Sequence, residues 1–380
     1  MNGSEGSASD PQFESIAARL AAFAEADPDY SAQLAVWHRG RQVIDVAVGP
    51  HLTRQSLTGV FSASKGVGAI VIARLLDDGL IGLQTPVAEY WPEFAAAGKQ
   101  EITVGTLLSH QAGLPLANRR LTIEELTSPA AAQLLAAQTP LWRPGSAFGY
   151  HAVTIGILME ELVRRVVGVS MQEFYEQRIR RPLGADFYLG LPLSEEHRYV
   201  PVGAVRPTAE QSEEIARRPP PDAIAAAVFD NVAVPEGFLS APGLSTNIPE
   251  LRRSGPTAIG GVGSAAGLAT VYAATLTSSS TPIASAASFA EMARQRSWGV
   301  DRVLDVANCF GAVFMLPQPR MPFGGVGSYG HDGAGGALAF ADPTTQIAFA
   351  YVPSPMQYPG GADGRSLDLA RLVHRSVSAS

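Results

Sequence analysis

Phe61-Ser62-Ala63-Ser64-Lys65-Gly66-Val67-Gly68-Ala69-Ile70-Val71-Ile72-Ala73-Arg74-Leu75-Leu76, closed by Asp77-Asp78-Gly79, is the most informative run in the chain. Val67, Ile70, Val71, Leu75 and Leu76 recur at helical spacing and Gly79 supplies a C-terminal cap, so the spacing predicts a buried helix over 62–76. Residues three apart share a helix face, which puts the Lys65 amine within reach of the Ser62 hydroxyl. A hydroxyl is a poor nucleophile until a base takes its proton. Lysine serves as that base only when burial or a positive neighbour lowers its pKa, and arginine cannot be made neutral in this way. The chain holds two lysines, Lys65 and Lys99, among 28 Lys and Arg residues. Arginine-rich coding explains that scarcity blandly; a requirement for an amine explains it at position 65. A helix cap followed by a surface lysine is the ordinary reading of Ser-x-x-Lys. Its placement on an apolar helix that follows a strand sets an activated nucleophile level with that reading. Ser64 falls on a different side of the helix from Lys65 and is assigned a hydrogen-bonding role.

Working outward, residues 12–25 predict an amphipathic helix, and QLAVWH and VIDVAV a β-hairpin turning at Arg39-Gly40-Arg41-Gln42. A short strand is expected at 57–61. Thr103, Thr122 (with Glu125) and Ser170 (with Glu173) look like helix N-caps, and 152–167 reads as a helix ending at Gly168. Residues 199–257, rich in Pro and Ala with weak periodicity, read as long loops that wall a pocket. A helix is predicted over 264–277, strands over 309–315, 337–342 and 346–352, and a last helix over 364–376. Strands near both ends with helices between predict an α/β fold: one sheet from residues 1–85 and 265–380, a helical insert with loops over 86–264, and a site in the cleft between them.

With 380 residues, 46% hydrophobic and 17% charged, the chain can bury a large core. A net charge of −7 offers no basic surface for nucleic acid or anionic lipid. The single cysteine, Cys309, cannot form an intrachain disulfide and reads as a small buried hydrophobe. The polar N-terminus, MNGSEGSASDPQ, lacks the pattern of a secretion signal, and no run of 18 apolar residues spans a membrane. These features together read as a cytoplasmic protein acting on a small molecule, with no cofactor implied and the oligomeric state open.

Two further segments carry candidate chemistry. Tyr150 follows the turn at Pro144-Gly145 and stands at a loop-to-helix junction. As a proton shuttle it needs a pKa well below 10, which a nearby Lys65 ammonium would supply; as a structural residue it is a packed ring with a tethered hydroxyl. Tyr329-Gly330-His331-Asp332-Gly333-Ala334-Gly335-Gly336 is dense enough in glycine to let a ligand approach backbone N–H groups. His331 within it is either a site residue or a surface one. Gly325-x-Gly327-x-x-Gly330 opens onto a strand, and Gly261-x-Gly263-x-x-Ala266 has no clear strand ahead, so neither supports nucleotide binding. There is no G-x-S-x-G and no metal-ligand spacing such as H-E-x-x-H.

Ser62-x-x-Lys65, Tyr150 and His331-Asp332-Gly333, in that order, resemble the three motifs of the serine β-lactamase and penicillin-binding-protein superfamily, in particular the class C β-lactamase-like esterases. Thr106-Leu107-Leu108-Ser109-His110-Gln111-Ala112-Gly113-Leu114-Pro115, Pro86-Val87-Ala88-Glu89-Tyr90-Trp91-Pro92 and Arg181-Pro182-Leu183-Gly184 are similar to further family segments, and the likeness spans most of residues 30–350. The resemblance implies a mixed, mainly antiparallel sheet packed between terminal helices. It further implies acylation of Ser62, proton movement by Lys65 and Tyr150, and an oxyanion hole from the backbone N–H groups of Ser62 and Ala334. His110 is structural in this reading.

The departures bear on substrate. Ala152 stands where the β-lactamases carry an asparagine that meets the drug's side-chain amide, and His331 where they carry a lysine that meets its carboxylate. An esterase needs neither, and His331, Gly333 and Ala152 are then expected to line an ester site. The expectation is hydrolysis of carboxylic esters. Acyl transfer to an amine or alcohol from the same acyl-enzyme is the alternative, and a silent binding protein of the same fold is the third.

Overall fold

The computed structural model describes residues 5–8 and 10–378. Its main sheet has six antiparallel strands in the order β1 (Glu5–Ala8), β3 (Arg41–Val48), β2 (Ser31–His38), β11 (Ile347–Ser354), β10 (Leu338–Asp342) and β9 (Tyr329–Asp332). The two ends of the chain therefore share one sheet. The β2–β3 hairpin turns at Arg39-Gly40, both with positive φ, where a backbone matched to strand twist is required.

Alternation along these strands sets what packs on each face. Leu34, Val36, Phe340, Phe349 and Tyr351 point one way, meeting Phe13, Ile16 and Leu20 at the N-terminal helix Glu14–Ala26 and Leu369, Ala370 and Val373 of the C-terminal helix Gly364–Ser378. On this face the Phe340 and Phe349 rings stack at 5.0 Å. Ala35, Ala339, Ala341, Ala348 and Ala350 point the other way, and these small side chains let the helix Ala265–Ala273 lie close, with Leu268, Val271 and Tyr272 filling the layer. Truncating Phe349 to alanine removes ring contacts on a fully buried face and costs about 3–5 kcal/mol by the usual cavity scale.

A second, three-stranded sheet sets β6 (Gly261–Gly263) between β4 (Thr58–Gly59) and β5 (Phe187–Leu189), all antiparallel, and β7 (Ser297–Val300) pairs with β8 (Ala307–Phe310) as a hairpin. The expected caps are present: Thr103 accepts from Thr106, Thr122 and Ser170 form capping boxes with Glu125 and Glu173, and Gly168 ends the helix Thr154–Val167 in a left-handed conformation. Lys99, the other lysine, is buried and donates to the carbonyls of Ala96 and Gln138, at 2.7 and 2.6 Å, joining two loops.

Several sequence expectations shift. Residues 199–257 are not simply loops: they contain helices Ala209–Arg217, Ala223–Phe229 and Pro249–Ser254. The first two carry mostly exposed side chains and are held by the Thr208 and Asp222 caps, so hydrophobic periodicity left them invisible. The predicted strand at 309–315 stops at Phe310, because the chain turns through Gly311 to Val313, whose φ is 67°. Gly261–Ala266 does pass from a strand into a helix, but β6 is antiparallel to both neighbours and belongs to no βαβ unit. Its glycines answer to packing: a β-carbon on Gly261 would lie 2.4 Å from Ser64 Oγ.

Candidate active site

Ser62 lies in a single 3-10 turn, Phe61–Ala63, ahead of the helix Ser64–Asp77, rather than as that helix's first residue. Phe61 adopts φ 49°, an uncommon conformation for a bulky residue, and the turn leaves Ser62 partly exposed while Ser64 and Lys65 are fully buried. Lys65 Nζ lies 2.8 Å from Ser62 Oγ and donates to the carbonyl of Ala258, also at 2.8 Å. Ser64 Oγ donates to the Phe61 carbonyl and accepts from the Gly261 N–H, 2.9 Å, so its hydroxyl is fully engaged.

The Lys65 amine also lies 5.0 Å from the centroid of the Tyr150 ring. Burial pushes the Lys65 pKa well below its ordinary value, opposed only by the Asp332 carboxylate, so the free amine forms more readily than on an exposed lysine. Tyr150 departs from expectation. Burial raises its pKa, with Ser62 the neighbour that acts most strongly in the other direction, so the phenol is a neutral hydroxyl and not a pre-formed phenolate. Desolvation outweighs the hydrogen bond to Ser62, and the Asp332 and Asp301 carboxylates act in the same direction as burial. Lys65 can therefore act as base, and Tyr150 as a hydroxyl that passes a proton on.

Tyr150 is fixed through its main chain. Its N–H donates to Asp301 Oδ1 at 2.9 Å, and the same oxygen accepts from Val303 and Leu304. Asp301 Oδ2 accepts from Asn308, whose own oxygen accepts from Arg320; Arg320 in turn faces Asp332 Oδ2 at 3.7 Å. A polar chain, buried at Asp301, Asn308 and Asp332 and exposed at Arg320, thus links the tyrosine to the His331-Asp332 strand end. No motif announces Asp301, Asn308 or Arg320 in the sequence, and the Ala258 carbonyl carries no side-chain signal.

His331 is fully buried on β9, not a surface residue. Its Nδ1–H donates to the Asp332 carbonyl, 2.7 Å, which leaves Nε2 as a bare acceptor with no protein partner. Burial, and then the nearby Lys65, lower its pKa to about 4, so it is neutral at pH 7 and cannot replace a lysine as a carboxylate anchor. Gly333 is packed against the nucleophile turn: a β-carbon there would lie 2.0 Å from the Val60 carbonyl oxygen and 3.3 Å from the Ala63 nitrogen. The next residue, Ala334, is exposed. Ala152 is buried and its N–H returns to the Tyr150 carbonyl at 3.0 Å. His110 accepts from the His151 N–H at 3.1 Å, and burial keeps its pKa well below normal, so it is a neutral packing residue behind Tyr150.

Among the described residues no three His, Cys, Asp or Glu side chains converge as a metal-ligand set, and no helix is long and apolar enough to cross a membrane. Cys309 is buried and unpaired.

This sheet, with a serine, lysine and tyrosine gathered beside it, is the arrangement of the penicillin-recognising enzymes and their hydrolase kin. The chain belongs to the beta-lactamase family, whose profile matches residues 20–372. It is 32% identical to the esterase/beta-lactamase LipL of Mycobacterium tuberculosis, over 93% of this chain and 83% of that protein. Among solved structures it superposes on EstA from Arthrobacter nitroguajacolicus Rue61a with a TM-score of 0.88 at 43% identity, covering 99% of each chain. It superposes on a family VIII carboxylesterase with a TM-score of 0.86 at 31% identity, covering 98% of this chain and all of the other.

Proposed function

We propose that the protein hydrolyses carboxylic esters through an acyl-enzyme on Ser62. The observation that carries this reading is the 2.8 Å contact between Ser62 Oγ and a Lys65 amine that burial drives towards its neutral form. In the acylation step Lys65 takes the Ser62 proton as Oγ attacks the acyl carbon. The negative charge gathered on the carbonyl oxygen is met by the N–H groups of Ser62 and Ala334. The C–O bond to the alcohol then breaks, and the departing oxygen receives its proton by way of Tyr150. Water attacks the acyl-enzyme in the second step, giving up a proton to the same pair of residues as Ser62 Oγ leaves and is reprotonated.

A neutral His331 and the apolar Ala152 support a small or medium ester over a β-lactam carboxylate. Esterase or carboxylesterase names among the relatives at 31–32% identity support the same class. The site would lie where the sheet domain, residues 1–85 and 265–380, meets the insert, residues 86–264. The lone Cys309 and the net acidic charge support action in a reducing, cytoplasmic setting on a small molecule, without nucleic acid. Hydrolysis of p-nitrophenyl acetate and butyrate by the purified chain tests the proposal. A Ser62→Ala variant is expected to lose turnover by about 1,000-fold or more, and full turnover by that variant would end it.

A further inference from the structure

The Lys65 amine is held by a carbonyl, and the segment carrying that carbonyl is itself held. Thr257-Ala258 runs between two helices at points where only glycine fits. A β-carbon on Gly68 of the Ser64–Asp77 helix would lie 2.4 Å from Thr257 Cγ2, and one on Gly156 of the Thr154–Val167 helix 2.7 Å from the Ala258 nitrogen. One turn beyond Gly156, on the same face, stands Glu160, and its Oε1 accepts the Thr257 N–H at 2.6 Å. Neither glycine restrains the segment along its own axis. The Glu160 carboxyl does, because it fixes the Pro256–Thr257 peptide unit, and the Ala258 carbonyl that receives Lys65 Nζ lies two peptide units further on.

We infer that Glu160 is a positioning residue for Lys65: by clamping the Thr257 N–H it sets the Ala258 carbonyl that holds the amine against Ser62. The inference rests on the Ser62–Lys65 reading above. Glu160 also lines a cavity of about 140 Å³, together with Ser170, Gln172, Ser254 and Pro256. Its volume lets water reach the Thr257 N–H once the carboxylate is gone, so Glu160→Ala can satisfy the freed donor and still fold while losing the restraint. Misplacement of a catalytic base by about 1 Å costs up to about 100-fold in rate.

Steady-state kinetics on p-nitrophenyl butyrate with the full chain provide the test, beside urea midpoints for each variant. Glu160→Ala is expected to lose kcat by about 10-fold or more with KM within about two-fold, because the base moves and the binding surface does not. Glu160→Gln keeps an oxygen for Thr257 and is expected to recover most of that loss. If Glu160→Ala proves unfolded, Glu160→Asp, one methylene short of Thr257, carries the test and should show the same selective loss of kcat. Unchanged kcat in a folded Ala or Asp variant overturns the inference, as does a Gln variant as impaired as Ala. The two readings separate on Ser62→Ala: an inactive Ser62 variant beside a fully active Glu160→Ala sinks only the clamp, whereas turnover without Ser62 sinks the mechanism beneath it.

Discussion

The backbone N–H of Tyr150 rests on the carboxylate of Asp301, 2.9 Å away and 151 residues further along the chain. Asp301 sits between the β7 and β8 strands and accepts hydrogen bonds from three backbone donors and Asn308, which together counter the rise in its pKa caused by burial. The tyrosine ring is thereby aimed from a separate element. Asp301→Ala leaves buried donors without an acceptor and is expected to cost about 1–3 kcal/mol of stability together with about a 10-fold or greater fall in kcat. Asp301→Asn, which keeps one acceptor oxygen, should fall between the two. Urea melts and kinetics on the three proteins check this; an alanine variant with wild-type kcat contradicts the aiming role.

Lys65→Arg keeps a long basic side chain but cannot become neutral. Loss of ester turnover by about 1,000-fold or more is expected, as for Lys65→Ala. Should the arginine variant keep a tenth of the activity or better, the amine is not the base.

The sign of the pH dependence follows from burial. The working form of Lys65 is the free amine, and desolvation lowers its pKa, so activity persists to lower pH than an exposed lysine at about 10.5 would allow. kcat/KM is expected to fall on acidification as the amine is protonated, with the midpoint displaced below that of an exposed lysine. A profile whose midpoint stands at the exposed-lysine value of about 10.5 would identify an unshifted lysine.

Much of this was legible in the sequence, for reasons that differ by element. Ser62 and Lys65 could be paired because three-residue spacing on a helical segment fixes their proximity before any tertiary contact forms. The sheet strands could be read because Ile347–Val352 and Leu338–Asp342 alternate large and small side chains with period two. The ionisation of Tyr150 could not, since it is set by how much solvent is excluded around two residues far apart in the chain. Asp301, Arg320 and the Ala258 carbonyl were equally hidden, because each acts through a backbone group or a long-range partner. The helices at 209–217 and 223–229 escaped because their caps, not an apolar stripe, mark them.

Gly333→Ala would drive a methyl group into the Val60 carbonyl, 2.0 Å away, and force the His331–Ala334 segment off the nucleophile turn. The Ala334 N–H, one residue on and proposed as an oxyanion donor, would move with it. Removing an oxyanion donor costs about 100–1,000-fold in kcat, and a loss of that order, with KM little changed, is expected. Equal kcat in parent and variant would show that the Ala334 N–H does not serve the reaction.

Which hydroxyl becomes acylated is the point on which the whole account turns, since Ser62 and Ser64 lie two residues apart. Labelling the intact protein with a fluorophosphonate, followed by peptide fragmentation, assigns the modified residue. The account predicts stoichiometric modification of Ser62, abolished by Ser62→Ala and slowed by Lys65→Arg. Modification of Ser64, or labelling that survives loss of the Ser62 hydroxyl, would contradict it.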